Sequence, residues 1–208
     1  MAYTRAVEAA HFSWVLELVP AYNSVTVYYS ITTLSAFVKK GSIAAWVSNT
    51  LTQLKVDFNA TSYTNQQTIE IPVCYDPLFG ADLAFLSEQL KLSIDKIIEI
   101  HSNRIYKVYM LGFLPGFPYM GSVDESIQYP RKKNPSHQIA AGSIGIAGAQ
   151  TGIYPLLSPG GWQIIGRTPL TIFNVEKEQP SLLSPGNQVK FIPITLERFY
   201  EIEKEKML

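Results

Sequence analysis

Between Gly142 and Thr168 the chain gathers side chains that can grip and polarise a small ligand. Gln150, Thr151, Tyr154 and Arg167 offer an amide, two hydroxyls and a guanidinium, and the glycines among them let backbone approach a bound molecule closely. Arg167 has the planar fork that pairs with a carboxylate or a phosphoryl group through two parallel hydrogen bonds. Gln150, Thr151, Tyr154 and Arg167 are therefore the candidates for chemistry. Each taken alone also fits a turn or a surface ion pair; their crowding in one segment is what sets them apart.

A second stretch supplies a wall for such a site. In Tyr109-Met110-Leu111-Gly112-Phe113-Leu114-Pro115-Gly116-Phe117-Pro118-Tyr119-Met120-Gly121, aromatic and proline residues alternate with glycines, and neither a helical nor a strand period fits. Proline fixes φ and glycine opens conformations closed to other residues, so the loop follows one path and holds its aromatic rings in place. Phe113, Pro115 and Phe117, with Trp162 from the Ser158-Pro159-Gly160-Gly161-Trp162 run, are candidates for an apolar binding wall. Between the two stretches lies Pro130-Arg131-Lys132-Lys133-Asn134-Pro135, a solvated turn by composition that adds positive charge for an anionic substrate if it folds back over the site. Arg131 is its first cation.

Familiar nucleotide, nucleophile and zinc motifs are missing: there is no G-x-x-x-x-G-K-[ST] run, no G-x-S-x-G elbow and no H-E-x-x-H pair. His11 and His137 have no second ligand at metal spacing, and no metal site is assigned. His101 falls at a helix end, where a cation complements the dipole, so capping and acid-base work are equally open to it.

The elements that must carry these residues change character along the chain. An initial helix from Tyr3 to about Ala10 leads to two strand-like runs, Ser13 to Val19 and Ser24 to Tyr29, then a long amphipathic helix from Leu34 to about Leu54. Thr68 to Tyr75 reads as a third strand, placed at an edge by Pro72. This order predicts a small ferredoxin-like α/β domain over residues 1–80 that lacks its first strand. Two short helices, Asp82 to Leu90 and Ile94 to Ser102, form a junction over 81–104. From 105 to 208, six strand-like runs separated by glycine and proline predict a closed β-barrel: Ile105 to Leu111, Ser143 to Ala147, Gly152 to Leu156, Trp162 to Arg167, Leu170 to Phe173 and Gln188 to Ile192. A charged helix on the surface follows Thr195.

Composition narrows the partners. The 208 residues carry 17 basic and 17 acidic side chains, so no net charge recruits nucleic acid or an anionic membrane. One cysteine, Cys74, excludes a disulfide within the chain and suits a reducing compartment. No run is long and apolar enough to span a membrane and no signal pattern opens the sequence, so the cytoplasm is the expected location.

Five runs together resemble one family. They are Ile71-Pro72-Val73-Cys74-Tyr75, Gly112 to Tyr119, Ala141 to Gly148, Gln150 to Pro155 and Ser158 to Pro169, and in that order they are similar to the B subunit of 5-oxoprolinase, a family also called allophanate hydrolase subunit 1 or the KipI-type kinase inhibitors. The likeness covers nearly the whole chain. It implies a cyclophilin-like β-barrel after a small α/β domain, and work alongside the C and A subunits of 5-oxoprolinase in ATP-dependent opening of 5-oxoproline to glutamate, with Mg2+ accompanying ATP. Arg167 and the cluster at Arg131 would position and stabilise charge in such a reaction. The same resemblance leaves open a regulator that inhibits a sensor histidine kinase, and a role akin to biotin-dependent urea carboxylation. This chain has Ser136 where the family often has a basic residue and Ala140 where it often has proline.

Overall fold

The structure, a computed structural model, describes residues 2–57 and 68–206. The chain divides into two compact units, Met1–Asn65 and Gln66–Leu208.

In the first unit, helix α1 (Ala2–Ala9) is followed by an antiparallel hairpin of β1 (Val15–Pro20) and β2 (Val25–Tyr29). Helices α2 (Ile31–Ser35) and α3 (Ile43–Thr52) complete it. The single long helix expected from Leu34 to Leu54 is two. Gly41 stands at φ +90°, outside the helical region, and Ser42 starts a new helix by accepting a hydrogen bond from the Ala45 amide, as Ser30 does for α2 with the Thr33 amide. Trp14, Leu34 and Val47 form the unit's core, with Phe12 stacked on Trp14 and Trp46 edge-on to it.

The second unit is a barrel. Its elements are β3 (Thr68–Cys74), α4 (Leu83–Leu90), α5 (Ile94–Ser102), β4 (Ile105–Leu111), β5 (Pro118–Gly121), a 3-10 turn (Glu125–Ile127), β6 (Ser136–Ile139), β7 (Ser143–Ala147), β8 (Gln150–Ile153), β9 (Ser158–Gly160), β10 (Gln163–Arg167), β11 (Gln188–Ile194) and α6 (Leu196–Glu205). Seven strands close in the order β10-β3-β11-β4-β5-β8-β7, and β6 pairs with β9 as a separate ribbon. The α+β architecture with a closed barrel is thus present, with different boundaries from those expected.

The main correction concerns β3. It is a stave of the barrel rather than the last strand of an N-terminal domain, and it lies parallel to β11 along its whole length. Ile71 and Val73 explain this, because both are fully buried in the barrel core. β10 meets β3 only at the Arg167–Cys74 pair, so Pro72, which has no amide to donate, lies where the strand has a single neighbour. The described residues of the first unit consequently hold a two-stranded hairpin in place of a ferredoxin-like sheet. The helices read as a junction belong to the barrel too, since Leu83, Leu86 and Ile97 join its core.

Two further differences follow from strand length and cover. Leu170 to Phe173 is no strand; only Phe173 makes an isolated bridge, to Ser181. Strands β5, β6 and β9 have four, four and three residues and carry glycine, proline or serine, which left them without a strand signal in the sequence. Helix α6 has the expected charged face, but it also seats Phe199 in the fold, with its ring 4.4 Å from that of Phe79.

One backbone position fixes the course of the chain into β7. Gly142 has φ +83°, and a Cβ there would lie 2.4 Å from the Thr168 carbonyl oxygen. Gly142→Ala is expected to cost about 2 kcal/mol or more in a urea melt, because the strained φ and a backbone collision add. A loss below about 0.5 kcal/mol would show that the loop yields easily.

Candidate functional site

The glycine-proline loop after β4 is held by its own backbone. The Gly112 amide donates to the Phe117 carbonyl, the Leu114 amide to Gly112 and the Phe117 amide to Leu114. This tight path lifts Phe113 to φ +68° and leaves its ring 61% exposed, while Phe117 is buried beneath. The rings then assemble across strands. Phe117 lies 5.2 Å from Tyr154, 5.4 Å from Trp162 and 4.9 Å from Tyr119, and Phe113 stands edge-on to both Phe117 and Tyr154.

Above this cluster opens a groove of about 250 Å³ walled by Phe113, Tyr119, Tyr154 and Trp162, with Pro135, Pro159, Gly160 and Gly161 at its edge. Gly160 allows Tyr154 to reach that edge, since a Cβ at Gly160 would sit 2.3 Å from the Tyr154 hydroxyl oxygen. Burial pushes the Tyr154 phenol up to about 12, against smaller opposing effects from the Trp162 amide and Arg131, so at neutral pH the hydroxyl keeps its proton and can serve as a donor. Burial raises Tyr119 as well. The guanidinium of Arg131 lies 5.8 Å from the Trp162 ring at the rim, exposed, with no carboxylate within ion-pair distance among the described residues.

Arg131 is shared with a neighbouring cleft of about 540 Å³, which adds Lys132, Lys133, Tyr129, Phe85, Gln163 and Asp82. Asp82, Lys132 and Ser136 are shared in turn with a third cavity of about 410 Å³ that ends at Arg167. The three therefore adjoin. At their middle, Lys132 Nζ lies 2.7 Å from Asp82 Oδ2 and 3.1 Å from Ser136 Oγ, and the same Asp82 oxygen accepts the Ile164 amide at 2.6 Å.

The residues singled out in the sequence thus separate. Phe113, Arg131, Tyr154 and Trp162 line the groove, and Phe117 is buried against Tyr154 and Trp162 without lining it. Arg167 lies at the far cavity, its Nε donating to the Ala141 carbonyl. Thr151 is fully buried inside the barrel, donating to the Gly145 carbonyl and touching His101, so it is part of the interior and not of a ligand surface. Gln150 pairs with Gly121 and Ala147 at the start of β8, and Pro115 is exposed at the loop turn; neither lines the three cavities. Sequence reasoning passed over Asp82 and Tyr119. Asp82 was legible only as a helix start, and its partner Lys132 lies 50 residues further along the chain (132 − 82).

Comparison with known proteins places these features in a family. Residues 1–183 match the model of the carboxyltransferase domain, subdomain C and D. Over 206 residues the chain is 41% identical to the B subunit of 5-oxoprolinase from Bacillus subtilis, covering 96% of this chain and 84% of that one. The crystal structure of a conserved uncharacterized protein from Pyrococcus horikoshii superimposes with a TM-score of 0.62 at 44% identity, covering 95% of this chain and 87% of the other. Kluyveromyces lactis urea carboxylase shares the fold, with a TM-score of 0.75 at 18% identity over 98% of this chain, which spans 20% of that enzyme's length.

Proposed function

The chain belongs to the carboxyltransferase subdomain C and D family, within the branch of 5-oxoprolinase B subunits, and from that membership we propose that it is the B subunit of an ATP-dependent 5-oxoprolinase. In this reading it opens 5-oxo-L-proline to L-glutamate together with the A and C subunits and is inactive alone. The observation that carries the reading is the make-up of the aromatic groove. Its walls suit a small lactam ring, Arg131 at the rim suits the ring's carboxylate, and no carboxylate or imidazole lines it to activate water. A groove that binds without a base needs a partner to complete it.

The groove residues then divide the work. Phe113 and Trp162 face the ring, Arg131 pairs with the carboxylate, and the protonated Tyr154 offers a donor to the lactam oxygen, the atom on which negative charge grows. ATP supplies the phosphoryl group that makes the lactam carbon a better target for water. Among the described residues no three His, Cys, Asp or Glu side chains gather in one place, so Mg2+ is expected to arrive with the nucleotide or on a partner protein.

Glutamate release from 5-oxoproline and ATP tests this, with the purified chain combined with its candidate A and C subunits and each left out in turn. Activity is expected only in the complete mixture. Activity that persists without this chain would overturn the reading. No activity in any well-folded mixture would turn attention to inhibition of a histidine kinase by this chain alone.

A further inference from the structure

The far cavity has the build of an oxyanion site separate from the groove. Arg167 is half-buried, its guanidinium 5.5 Å from the Phe79 ring and 5.8 Å from the Phe199 ring, with Nε fixed on the Ala141 carbonyl at 2.8 Å. One of its five donors is therefore spent on holding the group flat, and no carboxylate stands within ion-pair distance of it among the described residues. A cation drawn partly out of water without a counter-charge is costly, and an anion bound beside it offsets that cost.

The rest of the cavity supports the same ligand. Lys132 brings a second cation, anchored by Asp82, and Ser136, Ser143 and Gln138 add uncharged polar groups. Two cations against one acid leave the cavity positive. On its other side Arg167 borders a cavity of about 370 Å³ where Glu203 and Lys206 balance each other, and the Lys206 ammonium donates to the Pro169 carbonyl.

We propose that the cavity bounded by Arg167, Ser143, Ser136 and the Lys132–Asp82 pair binds a phosphoryl group. A carboxylate needs only a guanidinium fork, whereas a guanidinium, an ammonium and hydroxyls lining one cavity suit a tetrahedral oxyanion. That the group comes from ATP rests on the 5-oxoprolinase reading; the site itself rests on Arg167 and its surroundings. The adjoining clefts join it to the groove, so a nucleotide phosphate there would lie on the same face as the lactam.

The test is calorimetric titration of the full chain with inorganic phosphate at constant ionic strength, with acetate and chloride in parallel. Phosphate is expected to bind, and Arg167→Gln to weaken it at least tenfold. Asp82→Asn is expected to tighten it at least threefold: the asparagine carbonyl still accepts the Ile164 amide, Lys132 is released toward the anion, and a repelling carboxylate is gone. A role for Arg167 in packing alone predicts no tightening, and Asp82→Asn keeps the proposal testable if Arg167→Gln fails to fold. Absence of phosphate binding up to the millimolar range in both wild type and Asp82→Asn would overturn it. So would equal affinity in Arg167→Gln, or acetate binding as tightly as phosphate. No partner or turnover enters this measurement, so its failure leaves the glutamate-release test untouched, and the reverse holds.

Discussion

Methionine in place of Arg131 is expected to raise KM for 5-oxoproline in the assembled enzyme by roughly 30-fold or more, with kcat within about twofold of wild type. The size follows from the contact assigned to it. A hydrogen-bonded charge pair contributes about 2 to 3 kcal/mol, and each 1.4 kcal/mol is a factor of about ten in affinity. The direction follows from where the guanidinium stands. It is at the rim over Trp162, and in the proposed reading it pairs with the ring's carboxylate, which does not change during the reaction, so ground state and transition state would lose the same interaction. Methionine keeps an unbranched apolar stem, and because Arg131 is exposed and outside any ion pair among the described residues, the unfolding midpoint should stay nearly unchanged. Initial-rate kinetics over a range of 5-oxoproline concentrations decide the matter. A fall in kcat at constant KM would move Arg131 into the chemical step, and unchanged kinetics would remove it from the site. Arg131→Lys should recover part of the affinity, since an ammonium keeps the charge without the planar fork.

What the sequence made legible depended on how local the cause was. The aromatic loop was readable as a single path because glycine and proline restrict their own backbone, but that Phe113 is exposed and Phe117 buried was not, since the burial of each ring depends on Tyr154 and Trp162 from other segments. Strands β4, β7, β10 and β11 were readable from their runs of β-branched residues. The placement of β3 was not, because the same apolar run fits an edge strand of one domain or a stave of another, and only its parallel pairing with β11, from the far end of the chain, decides. The site divided for the same reason. Thr151 and Gln150 are adjacent in sequence, yet on a strand adjacent side chains face opposite ways, and Thr151 points into the barrel. Arg167 ends β10 where the strand pairs with Cys74 and lines one cavity, whereas Trp162, just before the same strand, helps to build another. The Lys132–Asp82 pair at the centre of the basic cleft had no signal in either local segment.

His101 should make the fold lose stability in mild acid. Its ring is fully buried, with Nδ1 2.8 Å from the Tyr75 hydroxyl and Nε2 3.1 Å from the Thr151 hydroxyl. Thr151 donates its proton to the Gly145 carbonyl at 3.0 Å and therefore accepts from Nε2–H. Nδ1 is left as the acceptor for Tyr75, which assigns the neutral tautomer and leaves no place for a second ring proton. Phe191 stacks on the ring at 4.8 Å, and burial lowers the His101 pKa to about 3 from an ordinary 6.5. Above pH 6.5 the imidazole is neutral in both folded and unfolded chains and contributes no pH dependence. Below it the unfolded chain takes up a proton that the folded chain refuses, so stability falls as pH falls, down to about pH 3. At pH 5 the loss should be about 2 kcal/mol relative to pH 7.5, at 1.36 kcal/mol per unit below 6.5. Asp124 and Glu197 are also held below their ordinary carboxylate values by hydrogen bonds, but their contribution is lost only as pH falls through the ordinary carboxylate range, below the interval from pH 7.5 to pH 5. Urea melts at pH 7.5 and pH 5 on wild type and His101→Gln measure the effect. The variant should be less stable at both pH values, yet its loss between them should be smaller than that of wild type by about 2 kcal/mol. Equal losses in the two proteins would mean that the ring takes up its proton inside the barrel, and the hydrogen-bond order assigned to Tyr75, His101 and Thr151 would be wrong.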